Sequence, residues 1–379
     1  MLDPNLYKVP FPVEVFDQYC AGGFHPVHLH DRFKDGRYEI LNRLGYGAFS
    51  TVWLTRDHAT ERNVSIKIVV ANGSETQNHE LKILQHLQAS DIHSHPGRSS
   101  VPQLLDSFFH EGPNGQHLCV VLEVLGPRVS WLAEHSRNYR LNPNLSRRIS
   151  RRVVEAVAYL HSCGVAHGDI HMGNILLRLP PGTGAEMFGD PAPHQIEKVT
   201  KTDGSPLEEG VPEYLVEPLE HDISALDLNS GDVQLVDFGS AFFDSNPPNM
   251  INTPLSLHPP ELVFRRPLTR AVDVWNLGCT VLGGVPMEWI REAVTDGVLA
   301  GEPDDDDLTD DCLPLESRIQ KAYVGEWPSE ELRITGKDLE KLVKYHRKML
   351  VIDPEQRATA AELANDSSWI AVDKASEQQ

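Results

Sequence analysis

Asp169 and Asn174 stand five positions apart in the run HGDIHMGN (167–174). At that spacing one loop can offer a carboxylate to a nucleophile and an amide to a metal ion. Asp237 opens the sequence Asp237-Phe238-Gly239 directly after the apolar run VQLV, where a metal-binding aspartate belongs at the end of a strand. Upstream, LGYGAFSTVWL (44–54) sets Gly45 and Gly47 in a G-x-G-x-x-S pattern with Ser50 in place of the usual third glycine. A dinucleotide fold would place such a run between a strand and a helix. Here strand-like residues lie on both sides, which suits a hairpin whose tip covers phosphates. Lys67 closes VSIK (64–67), and Glu80 follows as a carboxylate able to fix its ammonium. By itself the hairpin reads as an ordinary glycine turn, and Lys67 as a surface lysine near a chance glutamate. The order, spacing and flanking elements of all these pieces together point to phosphoryl transfer.

The elements that would position these residues follow from periodicity. YEILNRL, TVWLTR and VSIKIVV read as three strands between residues 38 and 70. In the third, Ser65 and Lys67 share one side while Val64, Ile66 and Ile68 share the other. Residues 76–88 read as a helix with Glu80, Ile83, Leu84 and Leu87 on one face. LCVVLEVLG (118–126) reads as a buried strand. Residues 147–164 read as an amphipathic helix with Ile149, Val153, Val157 and Leu160 inward and Gly164 at its stop. Residues 1–37 read as irregular. Residues 180–231, rich in Pro, Gly and Glu, read as a loop-like, partly disordered insert. Strands early and helices late describe an α+β chain.

From residue 38 to about 370 the sequence resembles the eukaryotic protein kinases. HPPELV (258–263), DVWNLGC (273–279) and MLVIDPEQRAT (349–359) look like that family's later motifs. The closer resemblance is to the serine/arginine-protein kinases. It is carried by YCAGGFHPVHLHDRF (19–33), by Ser50 in the glycine run, and by an insert between NILL (174–177) and VQLVDFG (233–239). The resemblance implies a bilobal protein-kinase fold, with a small β-rich N-lobe (38–125), a larger α-helical C-lobe (126–370) and a tail (371–379). ATP would lie between the lobes, its adenine against Leu44, Val52 and Ser65, with Leu122 behind it and Glu123 and Leu125 in the hinge. Lys67, oriented by Glu80, would hold the phosphates under Gly45, Gly47 and Ser50. Asn174 and Asp237 would take Mg²⁺, and Asp169 would accept the proton of a substrate hydroxyl. Arg357 would pair with Glu261.

Two positions depart from the family pattern. Gly168 stands where an arginine is usual, and His171 where a lysine is usual. His171 is expected to substitute partly for that lysine's charge. HGDIHMGN also looks like the loop of aminoglycoside and choline kinases, so a small-molecule kinase is one alternative. A pseudokinase scaffold is another.

Lys+Arg 34 against Asp+Glu 55 gives a net charge of −21. Such a surface repels nucleic acid and acidic membranes and attracts basic partners. Protein substrates, Arg/Ser-rich splicing factors among them, fit that charge, with Glu302, Asp304–Asp307, Asp310 and Asp311 as a candidate docking patch. Neither nucleic acid nor membrane is an expected partner, and a monomer is expected. The five cysteines are scattered without a C-x-x-C, which fits free thiols. With no basic-then-apolar start and no apolar run of spanning length, a cytoplasmic or nuclear protein is expected. His25, His28 and His30 are read as lead-in packing or surface.

Overall fold

Ile66 and Ile68 are buried on one face of their strand, and Lys67 takes the other, as the alternation requires. The computed structural model describes residues 2–9, 14–72, 74–136, 141, 143–180, 195–219, 231–280 and 336–370. The chain divides into two units. The first comprises residues 1–89, 102–126 and 179–226; the second comprises 90–101, 127–178 and 227–379.

The first unit begins with β1 (Tyr7–Lys8) and is built on a six-stranded antiparallel sheet. Its strands are β2 (Arg32–Phe33), β3 (Tyr38–Gly47), β4 (Ser50–Asp57), β5 (Arg62–Val69), β6 (Asp106–Gly112) and β7 (Gly115–Leu122). They lie in the order β2-β3-β4-β5-β7-β6. Helix α1 (Ser74–Ala89) belongs to the same unit. Lys67 pairs with Val52 and Val120, and Ser65 with Leu54 and Leu122, so these residues share a face. The opposite face carries a core of Tyr38, Ile40, Trp53, Ile66, Ile68 and Val121.

Part of the insert departs from the loop-like expectation. β10 (Ile196–Lys198) pairs with β12 (Tyr214–Val216), and β11 (Thr200–Lys201) pairs with β1 of the lead-in. Val199, Val211 and Leu215 pack with Tyr7, Phe16, Tyr19 and Phe24 into a second buried cluster. Val216 joins the sheet's core. The lead-in and insert therefore cover the sheet face opposite Lys67. Each strand of the insert is two or three residues long, too short to leave a periodic signal.

The second unit holds α2 (Val129–Glu134), α3 (Pro143–Ser162), β8 (Val165–Ala166), β9 (Ile175–Leu177), β13 (Val233–Leu235) and β14 (Phe242–Phe243). Among its described residues follow α4 (Pro260–Val263), α5 (Ala271–Thr280), α6 (Gly336–Met349), α7 (Ala360–Asn365) and α8 (Ser367–Ile370). Ile149, Val153, Val157 and Leu160 are all buried, as the helical spacing of α3 demands. Gly164 follows α3 at φ +70°, the left-handed stop that glycine tolerates. Two short antiparallel pairs, β8 with β14 and β9 with β13, flank the loop 167–174. Among the described residues no helix is long and apolar enough to cross a membrane.

Candidate active site

In the first unit Lys67 Nζ donates to both oxygens of Glu80, at 3.0 and 2.8 Å. Both side chains are largely buried, so the pair is held in low dielectric and fixes the ammonium. The hairpin β3–β4 turns between Gly47 and Ser50, which pair across it. A Cβ at Gly45 would meet nothing within 4 Å, and one at Gly47 only Ser50 Oγ at 3.8 Å. Neither glycine is at positive φ. Intrachain packing therefore does not require them; they keep open a space that side chains would fill. Backbone N–H groups reached through such a space fit phosphate oxygens.

Leu44, Val52, Glu123 and Leu125 are all half-buried. Ser65 is more engaged than its expected contact with adenine suggests. Its hydroxyl donates to the carbonyls of Leu122 (3.3 Å) and Glu123 (3.0 Å), tying β5 to the segment that follows β7.

In the second unit the loop 167–174 is pinned from beneath. Asp273 is fully buried and accepts the N–H of His167 and of Gly168, each at 2.8 Å, and His161 Nε2 lies 2.9 Å from it. Gly168 is at φ +77°, and a Cβ there would lie 2.5 Å from the Ser240 carbonyl oxygen. A larger residue is excluded by both backbone shape and space. His167 is buried, accepts the Asp169 N–H at Nδ1 (3.3 Å) and donates from Nε2 to the Val236 carbonyl (3.1 Å). These bonds aim the backbone that carries Asp169.

Asn174 Nδ2 donates to the Asp169 carbonyl (3.0 Å) and to Asp169 Oδ2 (3.2 Å). Asp169 Oδ1 is buried and has no hydrogen-bond partner among the described residues. An orphaned carboxylate oxygen is costly unless a ligand or solvent donor completes it, and a substrate hydroxyl fits. The pairing of Leu235 with Ile175, extended by the Val236 N–H to Asn174 O bond (2.9 Å), brings Asn174 and Asp237 to the same end of β9 and β13. Asp237 is exposed, at φ +67°, with Phe238 buried against His167. Among the described residues no group of three or more His, Cys, Asp or Glu could hold a metal alone. An amide and a carboxylate fit Mg²⁺ only together with phosphate and water oxygens, which is how that ion is usually held beside nucleotides.

His171 Nε2 lies 3.5 Å from Asp169 Oδ2, and its Nδ1 accepts the Gly173 N–H at 3.0 Å. The ring thus caps the turn that carries Asn174, a role the sequence reading did not include. Nδ1 is engaged as an acceptor in this arrangement, and a ring with a hydrogen on both nitrogens could not accept that bond. Arg357 and Glu261 form a bidentate pair at 2.8 and 3.0 Å with both side chains fully buried. The anchoring by Asp273 was missed as well; its signal is the aspartate of DVWNLGC, whose function only tertiary contacts reveal.

His25 is buried against Phe33, His110 and His117, His28 accepts the Glu213 N–H, and His30 meets Glu39. They are packing and surface residues. The acidic stretch Glu302, Asp304–Asp307, Asp310 and Asp311 lies outside the described residues, as does Cys312.

The family profile described as "Protein kinase domain" matches residues 38–183. Protein kinase dsk1 of Schizosaccharomyces pombe is 37% identical over 173 residues, covering 45% of this chain and 32% of that protein. Human SRSF protein kinase 3 is 43% identical over 164 residues, 42% of this chain and 28% of that protein. Serine/threonine-protein kinase SKY1 of Saccharomyces cerevisiae is 34% identical over 171 residues, 44% of this chain and 23% of that protein. The chain thus spans less than a third of the length of these relatives. Residues 38–183 thus match the protein kinase domain, and over 164–173 residues the chain is similar to these three kinases.

Proposed function

We propose that this chain is an ATP-dependent serine/threonine protein kinase whose substrates are basic, arginine-rich proteins. The observation that carries the reading is Asp169, whose Oδ1 is buried without a partner among the described residues while its Oδ2 is held by Asn174. In this role Asp169 orients a substrate hydroxyl and accepts its proton. Lys67, fixed by Glu80, holds the α- and β-phosphates. The amides around Gly45, Gly47 and Ser50 cover them. Leu44 and Val52 contact the adenine, and Glu123 and Leu125 offer hinge backbone to its edge. Asn174 and Asp237 hold Mg²⁺, which neutralises charge on the transferring group. Catalysis is then positioning plus electrostatic stabilisation. His171 stands close enough to Asp169 to act on the same centre.

The substrate class follows from the charge of −21 and from the similarity to kinases named for SRSF proteins. The test is incubation with radiolabelled ATP and Mg²⁺ and, in parallel, an Arg/Ser peptide, an acidic peptide, choline and an aminoglycoside. An Asp237→Asn variant serves as the inactive control. Transfer to the Arg/Ser peptide, with KM rising as salt screens attraction beyond about 8 Å, supports the proposal. Transfer to small molecules alone, or ATP binding without transfer, would sink it.

A further inference from the structure

Arg43 is 1% exposed. It lies on β3 between two register shifts, Ile40/Asn42 and Arg43/Gly45, immediately before the glycine hairpin. A bulge frees backbone groups from the ladder, and each must find another partner. Here the Arg43 N–H donates to Asn42 Oδ1 at 2.8 Å, and the Arg43 carbonyl accepts the Leu219 N–H of the insert at 2.9 Å. The side chain repeats the pattern. Its guanidinium pairs with buried Glu14 of the lead-in and donates to the Val216 carbonyl of the insert at 3.2 Å. Glu14 also accepts the Tyr19 hydroxyl. The same guanidinium lies 5.0 Å from the ring of Tyr46, inside the hairpin, and 5.7 Å from that of Trp53.

An ordinary apolar residue would fill a sheet core at lower cost than a buried charge. What the arginine adds is a simultaneous hold on three segments distant in sequence, one of them the hairpin. We propose that Arg43 is a positioning residue through which the lead-in and the insert set the shape of the glycine hairpin, and hence the affinity for nucleotide. The inference rests on the ATP-binding reading for its consequence, though not for the contact network. It makes residues 14–19 and 214–219 part of the nucleotide-binding apparatus, although neither segment contains a residue expected to touch ATP.

The test uses the full chain. The double variant Arg43→Met/Glu14→Leu replaces both charges with apolar groups of similar volume, an exchange that buried pairs often tolerate. Val27→Ala, in the same sheet core but outside the ion pair, controls for simple loosening. Hydrogen exchange of residues 44–51 and calorimetric titration with Mg²⁺ and ATP are measured on each. The expected result for the double variant is faster hairpin exchange and ATP affinity weakened about tenfold, near one interaction's worth. KM for peptide should stay unchanged, and Val27→Ala should match wild type in both readouts. Unchanged exchange and affinity in the folded double variant, or equal changes in Val27→Ala, would overturn the proposal. If the double variant does not fold, Tyr19→Phe decides the matter. It removes only one bond to Glu14, and it should shift both readouts the same way by a smaller amount; no shift counts against the proposal. If the wild-type chain binds no ATP, the kinase reading fails, and hairpin exchange still decides the role of Arg43.

Discussion

Gly168 donates its backbone N–H to Asp273 Oδ1 at 2.8 Å, and this bond holds the peptide that precedes Asp169. The missing arginine at this position is therefore not a simple loss of charge. With φ at +77° and the Ser240 carbonyl oxygen 2.5 Å from any Cβ, the backbone has settled into a form that requires glycine. Gly168→Arg should not gain activity; it should lower stability by about 1–3 kcal/mol and reduce kcat. Thermal unfolding and turnover on one preparation check this. Asp273→Asn, which turns an NH2 donor toward one of the two backbone N–H groups and leaves it without an acceptor, should lower kcat with little effect on KM for ATP.

His171 is expected to act in two ways that variants can separate. His171→Asn keeps an acceptor for the Gly173 N–H, whereas His171→Ala does not. If capping dominates, Asn retains most activity and Ala loses it. If charge dominates, His171→Lys equals or exceeds wild type, and both neutral variants fall, by up to ~100-fold for loss of one transition-state donor. Single-turnover rates at saturating ATP distinguish the outcomes. A fully active Ala variant would remove His171 from the mechanism.

Activity should not depend on phosphorylation of the segment between Asp237 and Glu261. Gly168 has no side chain to receive a loop phosphate. Thr253 is 6% exposed with its hydroxyl buried, and its carbonyl accepts a bond from His258 Nε2 at 3.1 Å. A phosphatase-treated sample from bacteria should transfer phosphate at the untreated rate. Thr253→Glu, by burying an unpaired charge, should destabilise the protein by about 3 kcal/mol or more. Activity that appears only after phosphorylation would contradict this.

Stability should fall in mild acid. Burial lowers His346 from 6.5 to about 4; its Nδ1–H donates to the Leu342 carbonyl, and its Nε2 has no partner among the described residues. Burial likewise lowers His25 to about 3. Well above pH 6.5 neither group is charged in either state, so neither gives a pH slope there. As pH falls from 6.5 toward 4, the unfolded chain takes up protons that the folded chain refuses, and stability declines. Each such group contributes a loss of about 3 kcal/mol. Denaturant titrations between neutral pH and pH 4 should show this decline, and His346→Phe should make it shallower.

The elements that carry the candidate residues were legible in the sequence, because those signals are local. Alternation along 64–68 set Lys67 against Ile66 and Ile68, and a helical stripe put Glu80 inward; the pair forms at 2.8 Å. The spacing of Asp169 and Asn174 anticipated one loop, and Asn174 bonds Asp169 within it. What lies behind these residues depends on contacts between segments far apart in the chain. The insert strand Tyr214–Val216 is three residues long and meets partners near 16, 27 and 43, so no window of sequence could reveal it. Arg43 carried no signal in the sequence analysis; it lies between two register shifts and is buried, where Glu14 neutralises it. Gly168 looked like a deleted arginine until its positive φ and the Ser240 carbonyl made glycine a requirement. Periodicity and spacing are written into neighbouring residues, whereas burial of a charge and the shape of a loop depend on which distant segment arrives to satisfy them.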